Sequence, residues 1–332
     1  MLSACANCAT IGDGSVFGFR LLKGLEKKGN GIVDERLRVA QLSVFSNSLL
    51  VIGKLAVGWL IGSVSVISEG IHSGIDLVAA LIAFFSVREA SRPADDSHQF
   101  GHGKIENVAG TIEALLIFVA AIWIIYEAVE KLSNGGTAPE AGWGVLIMAI
   151  SAGVNYYVSS RLMAVARKTD SVALEADALH LRTDVYTSLG VLVGLILLKL
   201  TGWWILDPLV AIGVALLIIK ASWDLLQEAF MPLLDQRLPE EEESQIQERI
   251  QRHAEKYVNV HAIRTRRSGA ERHIDMHMVF CKQTSIQETH EISDRVEAEI
   301  QEIFPRSTVL VHQEPCDERC GECQFAHKRG KQ

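Results

Sequence analysis

Residues 66–90 read VISEGIHSGIDLVAALIAFFSVREA. The run is apolar and longer than the ~20 residues a helix needs to cross a bilayer core. Yet it holds His72 and Asp76, four residues apart. Residues 174–198, LEADALHLRTDVYTSLGVLVGLILL, repeat the spacing with His180 and Asp184. Side chains at i and i+4 share one helix face, about 40° apart around the axis and one turn apart along it. Each pair is therefore a two-point claw for a cation, one imidazole nitrogen and one carboxylate oxygen. Two facing claws make a site of four ligands. An ionisable group at the centre of a bilayer costs roughly 2.5–3.5 kcal/mol on the insertion scale, so such groups mark function.

Four further windows resemble these two in length and apolarity. The expected spans are 37–61, 66–90, 108–132, 143–163, 174–198 and 203–226. The connections after the second and fourth carry Arg88, Arg92 and Lys104, then Arg161, Arg167 and Lys168. Those after the first, third and fifth are nearly uncharged, apart from Lys131, Glu140 and Lys199. The positive-inside rule puts the basic loops in the cytoplasm, and six spans then put both termini there. No secretory signal peptide is expected in the first 36 residues. Residues 17–25 suggest a short amphipathic turn on the membrane surface. The formal net charge of −8 argues against a nucleic-acid partner. Six cysteines in a chain with cytoplasmic ends read as thiols or metal ligands rather than a disulfide frame.

Beyond Leu226 the composition becomes that of a soluble domain. Residues 239–257 are acidic and helical in pattern, and 258–267 suggest a strand closed by a turn at Ser268 and Gly269. Residues 272–281 alternate, with Ile274, Met276, Met278 and Phe280 on one face and His273, Asp275, His277 and Cys281 on the other. Residues 285–304 form an amphipathic pattern with Ile286, Ile292, Val296 and Ile300, and 307–312 suggest a third strand. The expected fold is therefore an α-helical membrane protein of six transmembrane helices, followed by an αββαβ domain of the α+β class. The divisions are an N-terminal cytoplasmic segment (1–36), a transmembrane domain (37–232), a cytoplasmic domain (233–315) and a Cys-rich tail (316–332).

Four motifs together resemble the cation diffusion facilitator family of divalent-metal transporters, zinc-type. They are HSGID from His72, HLRTD from His180, FGHGKIE from Phe100 and VHQEP from Val311. The resemblance covers residues 34–315. It implies a homodimer with a metallochaperone-like cytoplasmic domain, exporting Zn²⁺ or a similar cation from the cytoplasm in exchange for protons. It implies a second metal site at Asp95, His98 and His102, where Gly101 and Gly103 allow a tight wrap. It pairs Lys104 with Asp235 in a buried interlock at the membrane surface. It implies a cytoplasmic binuclear site at His261, His277, His290, His312 and Glu314, near the dimer interface.

The chemistry of the claws stands without the resemblance. Imidazole and carboxylate suit Zn²⁺, which takes four ligands in a tetrahedron. Two neutral His and two Asp carboxylates neutralise a dication. The empty site keeps two carboxylates, which protons would relieve. Metal and protons therefore compete for the same ligands, as an exchanger requires. Fe²⁺, Co²⁺, Ni²⁺ and Cd²⁺ can use the same donors, whereas Mn²⁺ and Mg²⁺ prefer all-oxygen shells. Glu69 and Asp177 lie one turn before His72 and His180 and are candidates to line the two approaches. A haem protein is disfavoured by the Asp on each ligand face. A channel is disfavoured by tight four-ligand binding. A membrane metal sensor or buffer without transport is the remaining rival.

At the ends, Cys5 and Cys8 form a C-x-x-C. Cys316, Cys320, Cys323 and His327 place four soft ligands close together in the tail, enough to wrap a Zn²⁺ or Cu⁺ ion.

Overall fold

The computed structural model describes residues 15–61, 64–134, 143–201, 203 and 205–317. Cys5, Cys8, Cys320, Cys323 and His327 lie outside them, as does the side chain of Glu69. Six long helices come first: α1 (Ser15–Ile61), α2 (Val64–Ala90), α3 (Lys104–Asn134), α4 (Trp143–Thr169), α5 (Val172–Thr201) and α6 (Leu206–Phe230). No proline interrupts them except Pro208, in the first turn of α6, where a missing N–H is tolerated. α1 starts well before the first expected span and runs unbroken into it.

Four stretches among the described residues are long and apolar enough to cross a membrane: Glu35–Leu60, Gly70–Ala90, Lys104–Ser133 and Pro208–Leu234. The expectation was six. α4 and α5 are not among these four, which count described residues only, and most side chains of α5 beyond Gly190 lie outside the description. α4 carries Ser151, Asn155, Ser159 and Arg161, and α5 carries Glu175, Asp177, His180, Arg182 and Asp184. Bulky apolar side chains face outward along the bundle, with Phe45, Ile52, Trp59, Trp123, Leu217 and Trp223 all more than half exposed. Small residues fill its interior, among them Ala79, Ala83, Ala114, Ala121, Ala176 and Ala178. Lipid-facing bulk and small packed interiors are the pattern of a membrane bundle. The amino-terminal part is thus a helical transmembrane domain.

A 3-10 turn (Met231–Leu234) leads to the second domain: α7 (Glu240–Gln251), β1 (Asn259–Ser268), β2 (Glu271–Phe280), α8 (Ile286–Ile303) and β3 (Ser307–Pro315). The αββαβ order is the expected one. β2 lies in the centre, antiparallel to β1 and parallel to β3, so α8 is the crossover that a parallel pair requires. The alternation in β2 decides its faces. Ile274, Met276, Met278 and Phe280 are buried against Ile246, Ile292, Val296 and Ile300. Ser285 caps α8 by accepting a hydrogen bond from the Glu288 N–H. Two side chains depart from the sequence pattern. Ile286 is exposed at the first turn of α8, and His273, on the polar face of β2, is buried. The reason for the second is the membrane domain: the ring of Phe100 packs edge-on to His273 at 5.8 Å.

The two domains meet at a close backbone contact. A Cβ at Gly103 would lie 2.3 Å from the Ser268 carbonyl oxygen, and one at Gly269 would lie 2.5 Å from the Gly103 oxygen. Only glycine fits on either side. Asn107 stitches the contact, accepting from the Gly269 N–H at 2.8 Å and donating to the Ala229 carbonyl at 3.2 Å.

Candidate metal centres

α2 and α5 bring their claws together. Donor atoms of His72, Asp76 and Asp184 all lie within 4.8 Å of one another. His180 joins them through Nε2, 3.2 Å from Asp76 Oδ1. Asp76 is buried, and Asn155 on α4 donates to Asp184 Oδ2 at 3.3 Å. One nitrogen and two oxygens thus gather within 4.8 Å from two helices, with His72 exposed and Asp76 buried, and His180 adds a second nitrogen through its contact with Asp76. This set matches what a tetrahedral divalent cation takes. A residue the sequence reading passed over stands beside it. Lys54 on α1 is buried, and its Nζ donates to Ser73 Oγ at 2.8 Å, next to His72. Its signal was a lone cation in an apolar run.

Asp95, His98 and His102 also converge, with donor atoms within 4.8 Å. His98 Nδ1 is 3.4 Å from Asp95 Oδ1, and His102 Nε2 is 3.3 Å from Asp95 Oδ2. Asp95 Oδ1 also accepts from the His98 and Ser97 backbone N–H groups, at 2.7 and 3.0 Å. Those bonds, the His98 one foremost, hold its carboxyl down to about 2. Gly101 supplies the wrap at φ 80°.

In the cytoplasmic domain, Glu314 is the hub. Its Oε1 lies 2.8 Å from His277 Nδ1 and 3.8 Å from His312 Nε2, and its Oε2 lies 3.4 Å from His261 Nε2. His261 is opposite His277 in the antiparallel pair, and His312 is opposite His277 in the parallel pair. A bulge follows His261, with Ala262 at φ 50°, so the histidine precedes the break in register. His290 is not brought to this group. It sits exposed on α8, 3.4 Å from Asp294, because its position faces away from the sheet surface that holds the others.

Lys104 Nζ meets Asp235 Oδ1 at 2.9 Å as expected, but the pair is not buried. The side chains keep 38% and 57% of their exposure, because Asp235 sits in a left-handed turn at the rim. The buried interlock is elsewhere, between residues far apart in the chain. Arg272 on β2 is buried and grips Glu242 at 2.8 and 2.9 Å and Asp170, in the α4–α5 turn, at 3.2 Å. At the same surface Arg36 pairs with Glu106, and Ser171 donates to that carboxylate at 2.5 Å. Cys316, the one tail ligand among the described residues, is buried at the end of β3, and its N–H donates to the Phe280 carbonyl at 2.8 Å.

A membrane bundle that gathers His and Asp donors from two helices, followed by a small α/β domain, fits one class, the membrane transporters of metal cations. Residues 40–234 match the cation efflux transmembrane domain, and residues 238–316 match the cation efflux protein cytoplasmic domain. An uncharacterized transporter of Synechocystis, sll1263, is 34% identical over 80% of this chain and 86% of its own. The cation-efflux pump FieF of Escherichia coli O1:K1 is 32% identical over 84% and 92%. A solved chain of CzrB, in a Zn form, is 34% identical over 26% of this chain and 97% of that one, with a TM-score of 0.23. The chain belongs to the cation efflux, or cation diffusion facilitator, family. It is a membrane transporter that moves metal cations out, and not an enzyme by family.

Proposed function

We propose that this protein exports a divalent transition-metal cation, Zn²⁺ by preference, from the cytoplasm in exchange for protons. The observation that carries this reading is that donor atoms of His72, Asp76 and Asp184 lie within 4.8 Å of one another, with His180 Nε2 3.2 Å from Asp76. Two imidazoles favour Zn²⁺ over the hard cations, with Fe²⁺, Co²⁺, Ni²⁺ and Cd²⁺ as the alternatives. All six long helices span the membrane in this reading, with both termini in the cytoplasm and the divisions at 36, 232 and 315 as given above. The membrane is the plasma membrane, the inner one in a bacterium, and lipid covers the outward apolar surface.

The cycle follows from charge. Metal with two neutral His and two carboxylates is neutral and can be enclosed. After the metal leaves, protons neutralise the carboxylates, and the helices can rock back. The transporter works as a homodimer through the cytoplasmic domain. Asp95, His98 and His102, and the Glu314 cluster with His261, His277 and His312, bind the same ion at the cytoplasmic face. His290 reaches a site only from a partner subunit. Cys316, Cys320, Cys323 and His327 offer a further soft site in the tail.

Flux into vesicles reconstituted with the full-length protein tests the reading, across a panel of cations and with an imposed pH gradient. Zn²⁺ flux should rise with the gradient and fall by at least 100-fold in Asp184→Ala. Normal transport by that variant would remove the site, and indifference to the gradient would remove the exchange. Binding without flux in the intact protein would favour a metal sensor or buffer.

A further inference from the structure

A second set of polar groups lies beside the four-ligand site, between α1, α3 and α5. Glu113 and Asp177 are wholly buried, and none of their carboxylate oxygens has a hydrogen-bond partner. Ser43 and Asn47, one turn apart on α1, are buried too, at 0% and 1% exposure. The Ser43 hydroxyl and both ends of the Asn47 amide are likewise unpartnered. Ser43, Asp177 and Glu113 are neighbours. Ser43 lies against Asp177 without a well-formed hydrogen bond, and the Asp177 charge acts on Glu113. Asn47 continues the α1 face that carries Ser43. Glu113 also acts on His180, whose Nε2 is turned to Asp76 while its Nδ1 is unpartnered.

Buried polar groups are almost always satisfied, and buried charges are paired or coordinate a metal. Here two carboxylates and a hydroxyl lie together, with an amide further along the same α1 face, and among the described residues no lysine or arginine charge acts on either carboxylate. A cation satisfies all of them at once. The set has a place along the helices as well. Asp177 is one turn nearer the α4–α5 turn than His180, about 8 Å along the axis from Val172. Glu113 is about 11 Å along α3 from Glu106, whose carboxylate meets Ser171 next to Val172, while His180 is about 12 Å along α5 from Val172. Both therefore stand between the Arg36–Glu106 pair at the rim and the claws.

We propose that Glu113, Asp177, Ser43 and Asn47 form an inner cation station, a step to the cytoplasmic side of the claws, occupied by the transported divalent metal before it reaches them. The proposal rests on the reading of the claws as the transport site. An all-oxygen set holds a transition metal more loosely than one with imidazoles, and it leaves room for some of the ion's water. A loose station followed by a tighter one passes the ion inward, since a waypoint must release what it binds.

Co²⁺ binding to the full-length protein in detergent tests it, because tetrahedral sites with imidazole absorb strongly in the visible and oxygen-rich, hydrated sites weakly. With the claws removed by Asp76→Ala and Asp184→Ala, the protein should bind one more Co²⁺ per chain, weakly absorbing, than the same protein carrying Glu113→Gln and Asp177→Asn. The loop and cytoplasmic clusters are present in both and cancel. With the claws intact, Glu113→Gln and Asp177→Asn should keep the strongly absorbing ion, which also reports an intact bundle, while the KM for Co²⁺ flux rises about tenfold. Glu113→Gln alone serves where the fuller variant misfolds. An unchanged Co²⁺ count overturns the station, and so does an unchanged count with an altered pH profile of flux, which assigns these groups to protons alone. If instead the strong absorption is unaffected by Asp76→Ala and Asp184→Ala, it is the reading of the claws that fails.

Discussion

Arg272 shows how much a single side chain decides at the domain junction. Its guanidinium is buried and divided between Glu242 of its own domain and Asp170 of the membrane domain. Lys104 and Asp235 make the same kind of bond at the exposed rim. Solvent separates their worth. An exposed ion pair contributes about 0–1 kcal/mol, whereas removing one partner of a buried pair costs about 3–5 kcal/mol. Arg272→Ala should therefore loosen the junction by several kcal/mol and Lys104→Ala by less than about 1 kcal/mol. Hydrogen exchange of the β1–β2 turn in the solubilised protein would rank them. Equal effects would show that the rim pair bears the load.

At the level of elements, the junction depends on two backbones in contact. Alanine at Gly103 would drive its Cβ into the Ser268 carbonyl, and backbone cannot step aside as a side chain can. Overpacking of this kind costs roughly 1–3 kcal/mol. Gly153 on α4 has nothing within 4 Å of such a Cβ. There alanine should be neutral or favour the helix by up to about 1 kcal/mol. Thermal unfolding of Gly103→Ala beside Gly153→Ala measures the contrast, and a harmless Gly103→Ala would mean that the turn can move. The helical and strand elements were legible because their signals are local. The spacing of His72 and Asp76 needs only a helix, and the alternation from Ile274 to Phe280 needs only a strand. His273 obeys the same alternation on the polar face, yet it is buried, because the loop that packs on it comes from residue 100.

For the whole molecule, three groups at the junction bear on its response to pH: His273 is buried, Glu242 half-buried and Glu271 exposed. Burial would raise the Glu242 carboxyl, but the Arg272 hydrogen bond and the Arg272 and Arg267 charges bring it below its ordinary value of 4.5. Glu271 is raised from 4.5 by desolvation of its carboxyl. Their effects on stability have opposite sign as pH falls through that range and offset each other. His273 is lowered from 6.5, by burial first and then by the Arg266 charge. A histidine depressed in the folded state binds its proton less well there than in the unfolded chain. Its contribution is complete above 6.5 and is lost as pH falls below it. The domains should therefore separate more readily as the medium turns acid from neutral. Exchange protection of the β1–β2 turn, corrected for intrinsic rate, should fall below about pH 6.5 in the native protein and stay level in His273→Gln. A matching fall in the variant would exclude this histidine.

The sequence by itself determined the claws, most of the membrane-spanning pattern, the αββαβ order and the identity of the His and Asp donors. Each of these follows from a period of two or of 3.6 residues, or from the cost of charge in an apolar run. Only the tertiary structure decided which donors meet. It gathered His261, His277 and His312 round Glu314 and left His290 on another face. It put Lys104 and Asp235 in solvent, and it buried Arg272 and Glu113. Depth and partnership depend on how helices far apart in the chain pack, and no local period carries that distance.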